Sequence, residues 1–261
     1  MTGLEEIVRR KRLDLERQKA AAPLTVLERR LDGASAVRDF AAAIRRPGEV
    51  SLIAELKKAS PSAGLLRKEY DVAAGARAYE KAGARALSIL TEVNFFLGDL
   101  SHLAEAKRAT SLPALRKDFI SDRYQIVEAR VRGADAVLLI VAVLGPKPLK
   151  VFVELIKSLG MTPLVEAHDP DEVRAALDSG AEMVGVNSRN LKDLSMDPRA
   201  FEKMVPLIPR DRLIVAESGI KTADDVRALK ALGVHAVLVG ESLLRQPDIE
   251  AAAKILVEAG R

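Results

Sequence analysis

From Ser51 onward, short apolar runs of β type alternate with longer amphipathic stretches, the pattern expected of parallel strands joined by helices. Four of the runs close a recurring phrase. AGARALSIL begins at residue 82, RGADAVLLI at 132, SGAEMVGVN at 179 and LGVHAVLVG at 232. Each reads as a helix ending in glycine, a tight turn and a buried strand, and the spacing of the four phrases leaves room for two βα units per repeat. The intervening strands fall in SLIAELKK, PALRKDF, TPLVEAH and RLIVAESG. Eight parallel strands in this order predict an α/β fold, a closed (β/α)8 TIM barrel. The rival, an open doubly wound sheet, ordinarily carries a GxGxxG turn after an early strand, and the sequence has none.

Ahead of the first strand, residues 4 to 45 look helical. Leu4, Ile7 and Val8, then Leu24, Val26, Leu27 and Leu31, recur at helical spacing, with Pro23 and Gly33 as breaks. The expectation is one domain spanning residues 1–261, of which 1–47 form a helical extension and 48–261 the barrel.

The four intervening strands share a second property: each ends in charge. On a strand, side chains two apart share a face, so Glu55 and Lys57 continue the face of Ile53, Lys117 that of Leu115, Glu166 that of Leu164 and Glu217 that of Val215. Barrel active sites lie at the C-terminal strand ends. Lysines and glutamates are rarely buried unless paired, and a buried ion-pair network is weak evidence for stability, so this convergence is read as a reaction site. The sixth strand adds Asn187 and Arg189 at the same end. After the seventh and eighth strands, Ser218–Gly219 and Gly240–Glu241 supply glycine turns where this fold commonly binds phosphate. The Glu241 side chain is expected to turn away, leaving its backbone N–H as the ligand.

Composition narrows the partners. The 261 residues carry 41 basic and 37 acidic side chains, a net +4 spread along the chain, which does not imply nucleic acid. No cysteine is present, which excludes disulfides and thiolate metal sites. His102, His168 and His235 have no metal-ligand spacing, and are read as surface or strand-end residues with no metal expected. No apolar run reaches the roughly 18 residues of a membrane helix, and the charged N-terminus lacks a signal-peptide core. A cytoplasmic protein without a membrane partner is expected.

Taken in order, IAELKKASPSAG, LSILTE, LRKDFI, ADAVLLI, LVEAH, VGVNSRNL, AESGI and VLVGESLLR resemble the successive motifs of the indole-3-glycerol-phosphate synthase family over essentially the whole chain. The resemblance implies a lyase of tryptophan biosynthesis acting on 1-(2-carboxyphenylamino)-1-deoxyribulose 5-phosphate, without a cofactor, and by default a monomer. It matches Lys117 and Glu166 to catalytic positions, and Asn187, Arg189 and Glu217 to binding ones. Ring closure needs an acid at the ketone oxygen, a role that suits Lys117. Lys57 with Glu55 suits the acid and base of dehydration, and Glu166 stabilisation of positive charge on the anilino nitrogen. Ser60, in a candidate lid over residues 58–64, and Phe96 join Asn187, Arg189, Glu217 and Ser218 as substrate contacts. Lys57, Ser218, Gly219, Gly240 and Glu241 form the expected phosphate set. Isomerases built on related phosphate-binding barrels would need an acid–base pair of Asp or Cys, and a non-catalytic barrel would have lost a lysine; neither holds here. The chain departs from the family pattern at Val93 and Asn94, at Leu97, where glycine is common, and at Ala167.

Overall fold

Eight strands pair in parallel into a closed ring: β1 (Ser51–Leu56), β2 (Ala86–Leu90), β3 (Ala114–Lys117), β4 (Ala136–Ile140), β5 (Thr162–Ala167), β6 (Met183–Asn187), β7 (Leu213–Glu217) and β8 (Ala236–Val239), with β8 closing on β1. The computed structural model describes residues 3–191 and 194–261. The (β/α)8 barrel expected from the repeat is the fold observed, and the strands fall where the phrases placed them.

Local chemistry sets the helix ends. Asp71, Asp122, Asp169, Thr222 and Asp248 each accept a backbone N–H at the first turn of the following helix, satisfying donors that a helix cannot pair internally. At the other end, the glycine of each repeated phrase, Gly83, Gly133, Gly180 and Gly233, has positive φ, which turns the chain into the next strand at little steric cost.

Alternation along the strands divides the core in two. Leu52, Leu87, Leu139, Val165, Val184 and Val237 face outward under the helices. Ile53, Leu115, Leu138, Leu164, Val215 and Leu238 fill the barrel interior. The floor of that interior is sealed by Phe40 and Ile44 from the short helix Phe40–Ile44, where Ser51 Oγ donates to the Ile44 carbonyl at 2.9 Å.

The N-terminal segment is less helical than its pattern predicts. Helices cover Leu4–Ala21, Leu24–Glu28 and Phe40–Ile44, while residues 29–39 form turns and extended chain. The Asp39 side chain starts the third helix by accepting from Ala42 N–H, so the stretch around Gly33 never continues the second. The first helix lies across the C-terminal end of the barrel. Leu4 N–H donates to the Leu191 carbonyl, Asn94 Nδ2 donates to Asp14, and Lys19 Nζ reaches Asp122 at 2.6 Å. Lys11, buried, places Nζ 2.7 and 2.8 Å from the two oxygens of Asp118. Asp118 also accepts from Thr91 Oγ1 and from Arg116, a fully buried arginine that further donates to the Gln125 carbonyl and to Glu128. Among the described residues, no helix is long and apolar enough to cross a membrane.

Candidate active site

Above the apolar interior, the same strand faces turn charged. A cavity of about 880 Å3 opens there, and every site residue expected from the sequence lines it: Glu55, Lys57, Ser60, Phe96, Lys117, Glu166, Asn187, Arg189, Glu217, Ser218, Gly219, Gly240 and Glu241.

Lys117 is its centre. The ammonium donates to Glu166 Oε2 at 2.7 Å and to Glu217 Oε2 at 2.8 Å, partners 49 and 100 residues away along the chain. Burial opposes its charge, yet Glu166, Glu217 and Glu55 hold its pKa well above the ordinary lysine value. The two carboxylates differ. Burial opposes ionisation of Glu166, but Lys117 and His168 outweigh it and keep the group well below the usual carboxylate range. Burial pushes Glu217 up to about 8, with Lys117 opposing the rise and the charge of Glu166 adding to it. Glu217 Oε1 is buried without a hydrogen-bond partner.

On the adjoining wall, Lys57 Nζ pairs with Glu55 Oε1 at 2.8 Å, and Ser88 Oγ lies 3.4 Å from the other oxygen of Glu55. Glycines make room for both acids. A Cβ on Gly240 would lie 2.5 Å from Glu55 Oε1, and one on Gly185 would lie 2.3 Å from Glu217 Oε1. Gly240, read from the sequence only as a phosphate turn, therefore also seats Glu55. Gly185 carries no such signal in the sequence, because the crowding comes from the neighbouring strand.

Asn187 Oδ1 accepts the backbone N–H of Arg189 at 3.0 Å, and Arg189 Nη1 donates to the Leu194 carbonyl. Ser218 and Gly219 follow β7 with φ of 65° and 77°. A serine in that region is uncommon and marks a held backbone. Here Ser188 Oγ donates to the Ser218 carbonyl at 3.1 Å. Glu241 opens the single turn Glu241–Leu244, and its carboxylate accepts from Arg245 Nε and Nη2 at 3.1 and 3.0 Å.

The residue 58–64 segment forms a small antiparallel ribbon, Ala59–Ser60 against Gly64–Leu65. Ser60 Oγ accepts from Ala63 N–H, and Ala59 N–H donates to the Phe96 carbonyl, joining the ribbon to the loop after β2. That loop is organised by buried Glu92, whose carboxylate accepts the backbone N–H groups of Asn94, Phe95 and Phe96. Phe96 packs near Phe119, ring centroids 6.1 Å apart. Leu97, at the position where glycine is common in the resembling family, has φ of 53°.

Two contributions went unread in the sequence. Leu4 and Ile7 of the first helix line the cavity, so the helical preface is part of its wall. His168, read as a surface or strand-end residue, is at the end of β5 but is not on the surface. Its side chain is 12% exposed, with Nε2 3.1 Å from Glu166 Oε1 and Nδ1 2.9 Å from Glu172 Oε2. The signal was present, since His168 lies two residues beyond Glu166 at the same strand end.

A closed parallel barrel whose strand ends bring two lysines against three buried carboxylates is the architecture of a barrel enzyme suited to moving protons on a bound substrate. Comparison with known proteins gives the family. The family model described as indole-3-glycerol phosphate synthase matches residues 4–256. A curated indole-3-glycerol phosphate synthase from Rhodopirellula baltica is 44% identical over 98% of this chain and 99% of its own. One from Roseiflexus castenholzii is 46% identical over 100% of this chain and 99% of its own. The chain belongs to the indole-3-glycerol phosphate synthase family, which are carboxy-lyases of tryptophan biosynthesis. Among solved structures, a 3-hexulose-6-phosphate synthase aligns over 81% of this chain and 100% of its own with a TM-score of 0.63. At 16% identity this likeness shows the barrel fold alone.

Proposed function

We propose that the cavity closes, decarboxylates and dehydrates 1-(2-carboxyphenylamino)-1-deoxyribulose 5-phosphate to indole-3-glycerol phosphate, carbon dioxide and water, with Lys117 as the acid of ring closure. The observation that carries this reading is the Lys117 ammonium held between Glu166 and Glu217. When the aromatic carbon attacks the ketone, the carbonyl oxygen becomes an alkoxide, basic enough to take a proton even from a lysine held firmly in its charged form. Loss of carbon dioxide then restores the aromatic ring. In the last step, Lys57 protonates the departing hydroxyl while Glu55, 2.8 Å from it, takes the proton from the adjacent carbon. Glu166 stabilises positive charge on the anilino nitrogen and, with Glu217 on the same lysine, helps relay the proton that recharges Lys117. A positioned acid or base contributes about 10²–10⁴-fold, so the rate is shared among these groups.

Arg189 and Asn187 bind the substrate carboxylate, Phe96 faces the aromatic ring, Ser60 and Glu217 contact the ribulose hydroxyls, and the Ser218–Gly219 and Gly240–Glu241 backbone, with Lys57, binds phosphate. The exposed arginine pair of Glu241 supports the backbone reading of that residue. No cofactor enters this scheme. The working unit is a cytoplasmic monomer, one domain in which residues 1–47 are a helical extension of the barrel of residues 48–261; the first helix roofs the cavity and the helix Phe40–Ile44 closes the floor.

The test is a fluorescence progress curve for indole-3-glycerol phosphate formation with wild type and Lys117→Ala. Turnover in the wild type, and its collapse in the variant with substrate binding largely kept, is expected. A wild type that binds the substrate but releases no product, or a variant that closes the ring normally in a single turnover, would overturn the assignment.

A further inference from the structure

Both ring nitrogens of His168 face carboxylates. Nδ1 lies 2.9 Å from Glu172 Oε2, and Nε2 lies 3.1 Å from Glu166 Oε1 out of hydrogen-bond alignment. Glu172 is itself fixed: its Oε2 accepts the His168 backbone N–H at 2.9 Å, and its backbone N–H donates to Asp169, the cap of the helix Pro170–Asp178. A neutral imidazole carries one N–H and one lone pair. In either tautomer one lone pair would meet a carboxylate oxygen, so only the imidazolium is attracted on both sides. Glu166 thus sits between two cations, Lys117 at Oε2 and His168 at Oε1. Glu217 shares the same lysine, but its Oε1 has no partner.

We propose that His168, held by Glu172, is a positioning residue that makes the two carboxylates on Lys117 unequal, fixing Glu166 as the charged base and leaving Glu217 to carry the proton. This rests on the Lys117 centre working as described above. The charged groups acting on the ring are Glu166 from β5 and Glu172 from the following helix, with Lys117 behind Glu166. Burial opposes charge on His168, but these two carboxylates outweigh it and raise its pKa to about 10. The directions for Glu166 and Glu217, down and up, follow the same asymmetry.

Nitrogen-15 NMR of the histidine side chains tests the charge directly and needs no substrate. The chain has three histidines, and loss of one set of signals in His168→Asn assigns the resonance. His168 is expected to remain an imidazolium above pH 8, and Glu172→Gln to bring its titration down by a unit or more. A wild-type His168 titrating near the ordinary 6.5 would overturn the proposal whether or not the lyase activity is found. In the second arm, His168→Asn is expected to lower kcat about tenfold or more with KM little changed, the signature of an interaction made in the transition state, and to displace the pH profile of kcat. His168→Lys, which restores a cation, should recover part of the loss. Glu172→Gln should displace the same profile in the same direction and more weakly. A merely structural histidine would lower thermal stability and leave the pH profile where it was, and that result would refute the positioning role.

Discussion

Gly185→Ala is the smallest change that reaches the centre of the site. The new methyl would begin 2.3 Å from Glu217 Oε1, with Glu217 Cδ and Leu164 Cδ1 both at 3.4 Å. Relief requires the Glu217 carboxylate to move by roughly 1 Å to reach ordinary contact. Oε1 has no hydrogen bond to lose, but Oε2 accepts from Lys117 at 2.8 Å, and a shift of that size carries the pair beyond hydrogen-bond distance. A hydrogen bond to a charged group is worth about 1.5–3 kcal/mol, which corresponds to roughly a 10- to 150-fold loss in rate if the full amount is felt in the transition state. Overpacking costs about 1–3 kcal/mol in stability, offset by the roughly 0.5–1 kcal/mol that replacing a glycine returns. Net destabilisation of about 1–2 kcal/mol is therefore expected, the crowding outweighing the backbone gain. Urea unfolding reads the stability term and the progress curve reads kcat. The decisive check repeats Gly185→Ala in a Glu217→Ala background, where the clashing oxygen is gone. The substitution should then cost almost nothing, and a cost that persists undiminished would show that Glu217 is not what Gly185 accommodates.

Two further outcomes follow from the first helix and the loop after β2. Lys11→Met removes one partner of a buried ion pair, a change that costs about 3–5 kcal/mol in general and about 2–3 kcal/mol here, because Asp118 keeps Arg116 and Thr91. Burial works against the charge on Asp118, but Lys11 and Arg116 hold its carboxyl well below the usual range. A depressed carboxyl contributes stability above its unfolded value near 4 and loses it as the pH falls toward the folded one, so the gap between wild type and variant should narrow in unfolding curves below about pH 4. An unchanged gap at pH 3 would contradict the pairing. Leu97→Gly relieves a left-handed backbone worth about 1–2 kcal/mol while surrendering the partial burial of a side chain that is 45% exposed and adding glycine entropy of about 0.5–1 kcal/mol. These cancel, so calorimetry should find stability unchanged within about 0.5 kcal/mol, and a loss above about 2 kcal/mol would refute the strain.

Much of this molecule is local and therefore legible. The alternation of apolar residues assigns each strand a lumen face and a helix face before any partner strand is known, because the pleat alone sets that direction. Glu55, Lys57, Lys117, Glu166 and Glu217 could be placed at one end of the barrel for the same reason, and the glycines of the repeated phrase could be read as turns because positive φ is a property of the residue itself. The helical reading of residues 4–45, broken at Pro23 and Gly33, carried helix too far on both sides of Gly33: the second helix ends at Glu28 although Leu31 keeps the spacing, and the third begins only at Phe40, where the Asp39 side chain caps it.

What remained for the tertiary structure was the choice of partners. Nothing in the chain near Lys117 says that it binds Glu166 and Glu217, which are brought to it by closure of the ring. The same closure decides that Gly185 and Gly240 must lack side chains, and that the local line of charge from Glu172 through His168 to Glu166 ends on Lys117. The first helix could be recognised from its own residues, but its place over the cavity rests on Lys11 meeting Asp118, 107 residues away. Sequence determines which face a side chain takes, since that is fixed within a few bonds. Which charge it meets there is fixed only when distant strands close into one barrel.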